Sequence, residues 1–591
     1  MTYTQSRWKL EALIPSSAEG PEIEKAIKAF DKHVKKNEGW RKKLKASISV
    51  KEFLSLLKDY EAMQESGLRL NAFAGLQFSA DTQNQAALAV LGRVEQLTAE
   101  AQNRLLFFSL WWKALDDKNA ARLMKASGDL RYWLEEMRHF KPHTLSEAEE
   151  KVVNIKNVNG PNAIQTLYEM ITNKFTFTIE VNGEKKTLTR DSLMVYARGA
   201  DAGLREAAYK ELYRVYGEQG LLLSQIYANL MRDWRSENVS LRKFKSPIAP
   251  RNLANDMPDS VVETLLKVIK DNAGVFQRYF KLKAKWIGAP SGKLRRYDIY
   301  APLAGSEKEY PYDLGVNMVL DTFSEFSPRV GQLAKKVFDD GHVDSEVRPG
   351  KRGGAFCAGV LPGMSPWVLL NYNNKAQDVA TTAHEMGHAI HALLAADHSP
   401  LTFHSALPMA ETASVFSEIL LTEKLLAQGT DPAVKRDLLA KSIDDAYATV
   451  GRQGFFAMWE KEAHELVKNG KTADEMAERY LETLKEQFGD AVEVSDEFKW
   501  EWVSIPHFYS VPFYVYAYSF GQLLVLALYE MYKREGEAFK PKYLKILTYG
   551  GSEAPARILK EAGINIASAK FWQGGFDAIG RMIDELERME A

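Results

Sequence analysis

The sequence predicts a mainly α protein, and three observations predict it. Apolar residues recur at spacings of three and four over most of the chain, as one buried helix face requires. Strand signals are few and short. The segment with the most distinctive polar pattern, 378–396, is itself an amphipathic helix: Val379, Ala383, Met386, Ile390, Leu393 and Leu394 fall on one side, and His384, His388 and His391 on the other.

Taken in order, residues 20–150 read almost wholly as helix. Leu54, Leu57, Tyr60 and Met63 form one stripe, and Ala87, Val90, Leu91, Val94 and Leu97 another. Leu105–Leu110 with Trp111 and Trp112 is an apolar block suited to a core. At 175–189 the period changes to two: Phe175, Phe177, Ile179 and Val181 alternate with polar residues. Asn182-Gly183 then predicts a type I′ hairpin turn. A soft boundary follows, dividing 1–190 from 191–591. Helices resume near 192, punctuated by Pro247, Pro250 and Pro258. Arg296–Tyr300 reads as a short strand, with Asp298 in a structural role. Val368-Leu369-Leu370-Asn371 reads as another. A helix over Met409–Gln428 opens at Pro408 and ends at Gly429. Long amphipathic helices cover 432–490, with His464 on their surface. Pro512 opens a helix in which Tyr514 and Tyr518 lie four apart, with Tyr516 facing away.

The 591 residues carry 77 basic and 78 acidic side chains, a balance that argues against nucleic acid or an anionic membrane as a partner. The one cysteine, Cys357, excludes an internal disulfide and suits a reducing compartment. Residues 1–7 lead into no apolar leader, and no run of about 18 apolar residues occurs. A cytoplasmic protein is the expectation.

The chemistry centres on His384-Glu385-Met386-Gly387-His388. Histidines four apart stack on one helix face and can grip one Zn²⁺, while Glu385 reaches a water beside the metal without being a ligand. A third ligand is needed. An HExxHxxGxxH pattern fails, because His391 and Leu394 stand where Gly and His belong. His391, Asp397, His398 and His404 are near but share no defined spacing. Glu411, on the following helix with Ser414, Val415 and Glu418 on the same face, completes a His₂Glu set. Glu418 is placed to orient a ligand histidine from behind. The Gly353-Gly354 stretch lacks the GxxxxGK[ST] pattern of a phosphate loop.

His384–His388 followed by Ala410-Glu411-Thr412-Ala413-Ser414-Val415-Phe416-Ser417-Glu418 resembles the oligoendopeptidase F branch of the thimet-oligopeptidase family of zinc metallopeptidases. Gly350–Phe356, Pro366–Tyr372, Pro506-His507-Phe508-Tyr509 and Phe513–Tyr518 resemble further segments of that family, and Trp8-Lys9-Leu10 resembles its opening. The resemblance implies two helical lobes enclosing a deep cleft, with a small β element bordering the site. It implies one Zn²⁺ per chain, short oligopeptide substrates, and 191–591 as the catalytic region. It also implies that His507, Tyr514 and Tyr518 donate to the substrate carbonyl. Val368–Asn371 would border the cleft and pair with an extended peptide, although a buried core strand suits the same residues. Two other readings are compatible with the motif: a metallocarboxypeptidase on a similar scaffold, and a metal-binding helical protein without turnover. Glu385 argues against the second, since a pure binding site needs no base.

Overall fold

The computed structural model describes residues 2–16, 20–289, 291–303, 309–427 and 432–590. The expected helix stop at Gly429 lies outside the described residues. The fold is mainly α, and the chain forms two compact units, each built from three segments. One comprises Met1–Thr144, Glu307–Gly429 and Met531–Asn565; the other comprises Leu145–Ser306, Thr430–Glu530 and Ile566–Ala591. The boundary read near 190 therefore falls inside the second unit.

In the first unit, Pro21–Glu38, Val50–Ala80 and Gln85–Ala114 form the N-terminal helices. Ser49 starts the second of these with a capping box: its hydroxyl accepts from Glu52 N–H, and the Glu52 carboxylate accepts from Ser49 N–H. The buried face runs through Phe53, Leu57, Met63, Leu70 and Phe73. Leu54 is displaced from it and exposed, because the helix phase centres on Phe53. Trp112 is core, as its surroundings in sequence require. It stacks on Phe53, and its indole N–H donates to Leu134 O at 2.8 Å.

The strands are few. β1 (Phe177–Val181) and β2 (Glu184–Leu188) form the expected antiparallel hairpin. Asn182 and Gly183 both have positive φ, as a type I′ turn demands. β3 is only Leu294–Arg295; Arg296–Asp298 turns as 3₁₀ helix instead of continuing the expected strand. The cause is Asp298, drawn inward by the guanidinium groups of Arg205 and Arg295. That is the structural role read for it. β4 (Val343–Asp344), β5 (Phe356–Ala358) and β6 (Trp367–Leu369) make a sheet in the first unit, and β7 (Val492–Glu493) pairs with β3 in the second. Among the described residues, no helix is long and apolar enough to cross a membrane.

Candidate metal centre

The motif lies on the helix Ala376–Leu394, with Val379, Ala383, Met386, Ile390 and Leu394 buried as its periodicity predicts. The partner helix differs from expectation. Leu407–Ala410, opened by Pro408, is one turn; the chain then breaks at Glu411–Ala413 and restarts as Ser414–Ala427. Glu411 therefore sits at a helix break rather than mid-helix. Ser414 holds it there, its hydroxyl donating to Glu411 Oε2 at 2.6 Å.

Gly387 explains how the two helices come close enough. A Cβ at this position would lie 2.6 Å from both Ala413 O and Ser414 Cα, so only a hydrogen permits the approach. Gly387→Ala is expected to push the 411–414 segment off the motif helix at a cost of about 1–3 kcal/mol. Equilibrium unfolding and metal titration of the variant, which should show both lower stability and weaker binding, check this.

Glu411 Oε2 lies 3.4 Å from His384 Nε2 and 3.5 Å from His388 Nε2, and the three ligand atoms are all within 4.8 Å of one another. Two donors about 2.0–2.1 Å from a tetrahedral zinc stand about 3.3 Å apart. The set fits such an ion. On the far side of His384, Nδ1 hydrogen-bonds Glu418 Oε1, which leaves Nε2 directed at Glu411. A cavity of about 410 Å³ opens over these groups, lined also by Phe356, Cys357, His391, Phe403 and His404; among the described residues no lysine or arginine stands in its wall. Imidazoles and carboxylates facing one another, with no lysine or arginine among the described lining residues, suit a divalent cation.

The electrostatics agree. Burial works against charge on His384, but the Glu418 hydrogen bond and the charges of Glu418, Glu411 and Glu385 outweigh it and hold the imidazole up at about 9. Burial pushes the Glu385 carboxyl up to about 7; His384 opposes this and the neighbouring carboxylates add to it. Such a group can both take and return a proton near neutrality. Burial lowers His388, His391 and His404, and it takes His391 to about 4. Cys357 is raised by burial and by Glu385, so its thiol stays protonated.

Of the other nearby candidates, His398 is engaged elsewhere, its two ring nitrogens meeting Asp129 Oδ1 and Thr548 O. Val368, Leu369 and Leu370 are corrected as peptide-pairing residues. β6 is the central strand, parallel to β4 and antiparallel to β5, so both its edges are taken and its side chains are buried. Asn371 serves the backbone instead. Its amide donates to Arg352 O at 3.0 Å and Gly354 O at 2.8 Å, fixing the loop that enters β5. Among the described residues β5 keeps a free edge in this sheet, and it also lines the cavity. The residues gave β5 no signal beyond its position after Gly353-Gly354; three residues are too few for a readable alternation.

His507, Tyr514 and Tyr518 belong to the second unit and come together there. His507 Nε2 is 3.3 Å from the Tyr518 hydroxyl, and the Tyr514 ring lies parallel to the imidazole at 5.8 Å. The expected helix from Pro512 begins only at Tyr516; Pro506–Ser510 is a separate turn, and Phe513 takes φ of 58°. Three contacts support that strained link. Glu460 Oε1 accepts from Phe513 N–H at 2.8 Å, Arg251 Nε donates to Pro512 O at 3.1 Å, and Asn255 meets the Tyr516 hydroxyl at 2.8 Å. Tyr516 thus faces the core. His464 is not a surface residue: it is fully buried and stacks on Phe513. Burial, and then charge repulsion from Arg452, lowers His507 and keeps its imidazole neutral.

The model of Peptidase family M3 matches residues 195–578, and that of Oligopeptidase F matches residues 111–177. The chain is 24% identical to Oligopeptidase PepF of Bacillus subtilis, over 99% of this chain and 87% of that protein. It is 25% identical to an oligoendopeptidase F homolog of Borreliella burgdorferi, over 99% and 98%. The solved oligoendopeptidase-F of Enterococcus faecium superposes with a TM-score of 0.71 at 23% identity, covering 95% of this chain and 98% of that one, and shares the fold. With a family model spanning more than half its length and a His-His-Glu constellation on the matched segment, the chain belongs to peptidase family M3, the oligopeptidase hydrolases.

Proposed function

We infer that the protein is a zinc-dependent endopeptidase that cleaves internal bonds of short oligopeptides in the cytoplasm. The observation that carries this is the convergence of His384, His388 and Glu411 with Glu385 beside them in a cavity with no lysine or arginine among its described lining residues. A zinc ion held by those three side chains would supply Lewis-acid chemistry, polarising the scissile carbonyl and acidifying a water. Glu385 takes a proton from the attacking water and returns it to the leaving amine; burial in the cavity wall raises its carboxyl and so strengthens it as a proton acceptor. Glu418 keeps His384 in the tautomer and orientation that present Nε2. An extended peptide adds to the free edge of β5, where main-chain pairing would accept many sequences.

In this reading His507, Tyr514 and Tyr518 donate hydrogen bonds to the carbonyl oxygen as charge develops on it. Tyr518→Phe and His507→Ala are each expected to lower kcat about 10²–10³-fold with nearly constant KM. Tyr516→Phe should cost stability instead, since its hydroxyl serves Asn255. Unchanged kcat in the first two variants would reduce the segment to an aromatic support. The overall reading is tested by metal analysis of the purified protein together with a length series of peptides blocked at both ends. Cleavage of blocked short peptides that stops on chelation and returns with zinc supports an endopeptidase. Cleavage only of peptides with a free C-terminus would make it a carboxypeptidase.

A further inference from the structure

The interior of the second unit holds an uneven set of charges. Arg296 and Arg452 both donate from Nη2 to the same oxygen, Glu501 Oε1, each at 2.8 Å. Arg296 is 2% exposed and Glu501 1%. Guanidinium does not shed its proton in proteins, so two of them against one carboxylate leave a positive charge without a counter-charge. The other acidic groups around this core are engaged elsewhere: Asp298 with Arg205 and Arg295, Asp444 with Lys283, Glu460 with the Phe513 N–H.

The same place holds donors that nothing satisfies. Arg296 Nε and Nη1, Arg452 Nε and the hydroxyls of Tyr300 and Tyr447 are buried and have no protein partner among the described residues. These groups are neighbours. The Tyr300 and Tyr447 rings lie 6.2 Å apart, and both phenols feel the charges of Arg296 and Arg452. Phe498 and Phe488 lie against the Arg296 guanidinium, at 4.9 and 5.7 Å, which leaves its edge for hydrogen bonding. Glu501 Oε2 and the Tyr480 hydroxyl are buried there too without a hydrogen-bond partner among the described residues, one an acceptor and the other a donor that helps hold the Glu501 carboxyl down. Water molecules could meet part of the hydrogen-bond demand of the orphaned donors but not the charge.

We propose that Arg296, Arg452, Tyr300 and Tyr447 form a binding site for a small monovalent anion of halide size. Full burial of Arg296 and of both hydroxyls leaves no access for a peptide carboxylate, whereas the Arg452 side chain, 24% exposed, gives a single ion a way in. The anion ties the 3₁₀ turn at 296–298 and Tyr300 to the π-helical turn Tyr447–Gly451 and to the helix that Arg452 begins, so it stabilises the unit.

The test is thermal unfolding of the full-length protein in sodium chloride against sodium gluconate at equal ionic strength. A saturable rise of about 2–4 °C in chloride is expected. The rise should vanish in the Tyr300→Phe/Tyr447→Phe double variant, whose rings still pack. Crystals soaked in bromide should show an anomalous peak within hydrogen-bond distance of Arg296 and of the two hydroxyls. Equal melting in both salts, a chloride effect that survives in the double variant, or water density with no bromide peak would each overturn the site. None of these measurements depends on peptidase activity.

Discussion

Glu385→Gln is expected to keep its zinc and lose turnover by about 10²–10⁴-fold. The amide fills the same space in the buried wall of the cavity, so folding and the His384–His388–Glu411 set should be untouched. What disappears is the proton acceptor. Steady-state kinetics on a blocked fluorogenic peptide, with metal content measured on the same sample, separates the two effects. If the variant loses zinc stoichiometrically, Glu385 belongs to the ligand set and the assigned role is wrong.

Glu411→Ala is expected to abolish stable zinc binding, and turnover with it. Its carboxylate lies within 3.5 Å of both Nε2 atoms, and two histidines alone leave a zinc site a ligand short. Glu418→Ala should behave differently. Glu418 meets His384 at Nδ1, the nitrogen turned away from the ligand set, so its loss is expected to weaken affinity about 10–100-fold while full activity returns at high zinc. Zinc titration by competition with a chelator distinguishes the variants. Normal affinity in Glu411→Ala would move the third ligand elsewhere in the cavity wall, where His391 and His404 are the imidazoles outside the proposed set.

The helical class and the motif helix were legible because both rest on local periodicity: a helix buries one face whatever it packs against. The I′ hairpin was legible because Asn182-Gly183 satisfies a backbone demand within two residues. The chain departs from its local pattern where a distant partner decides the outcome. Arg296–Tyr300 has a strand-like composition, yet Arg205 and Arg295 pull Asp298 into a turn. His464 reads as a polar residue on an amphipathic helix, but Phe513, far along the chain, covers it. Val368–Leu370 reads equally as core or as a cleft edge, and only the pairing of β6 on both sides decides.

The sequence by itself determined the chemistry of the centre: two histidines on one helical face, a carboxylate between them, and acidic candidates on the next helix. Helical geometry fixes those relations at short range, so no tertiary contact is needed to read them. Only the tertiary structure decided that Glu411 stands at a helix break, brought within 3.5 Å of both histidines because Gly387 carries no Cβ to hold Ala413 and Ser414 away. It alone decided which strand keeps a free edge, and that Glu460, Arg251 and Asn255 hold the link at 512–516 beside His507, Tyr514 and Tyr518. Such outcomes depend on which surfaces meet across tens to hundreds of residues, and neither periodicity nor motif spacing encodes that.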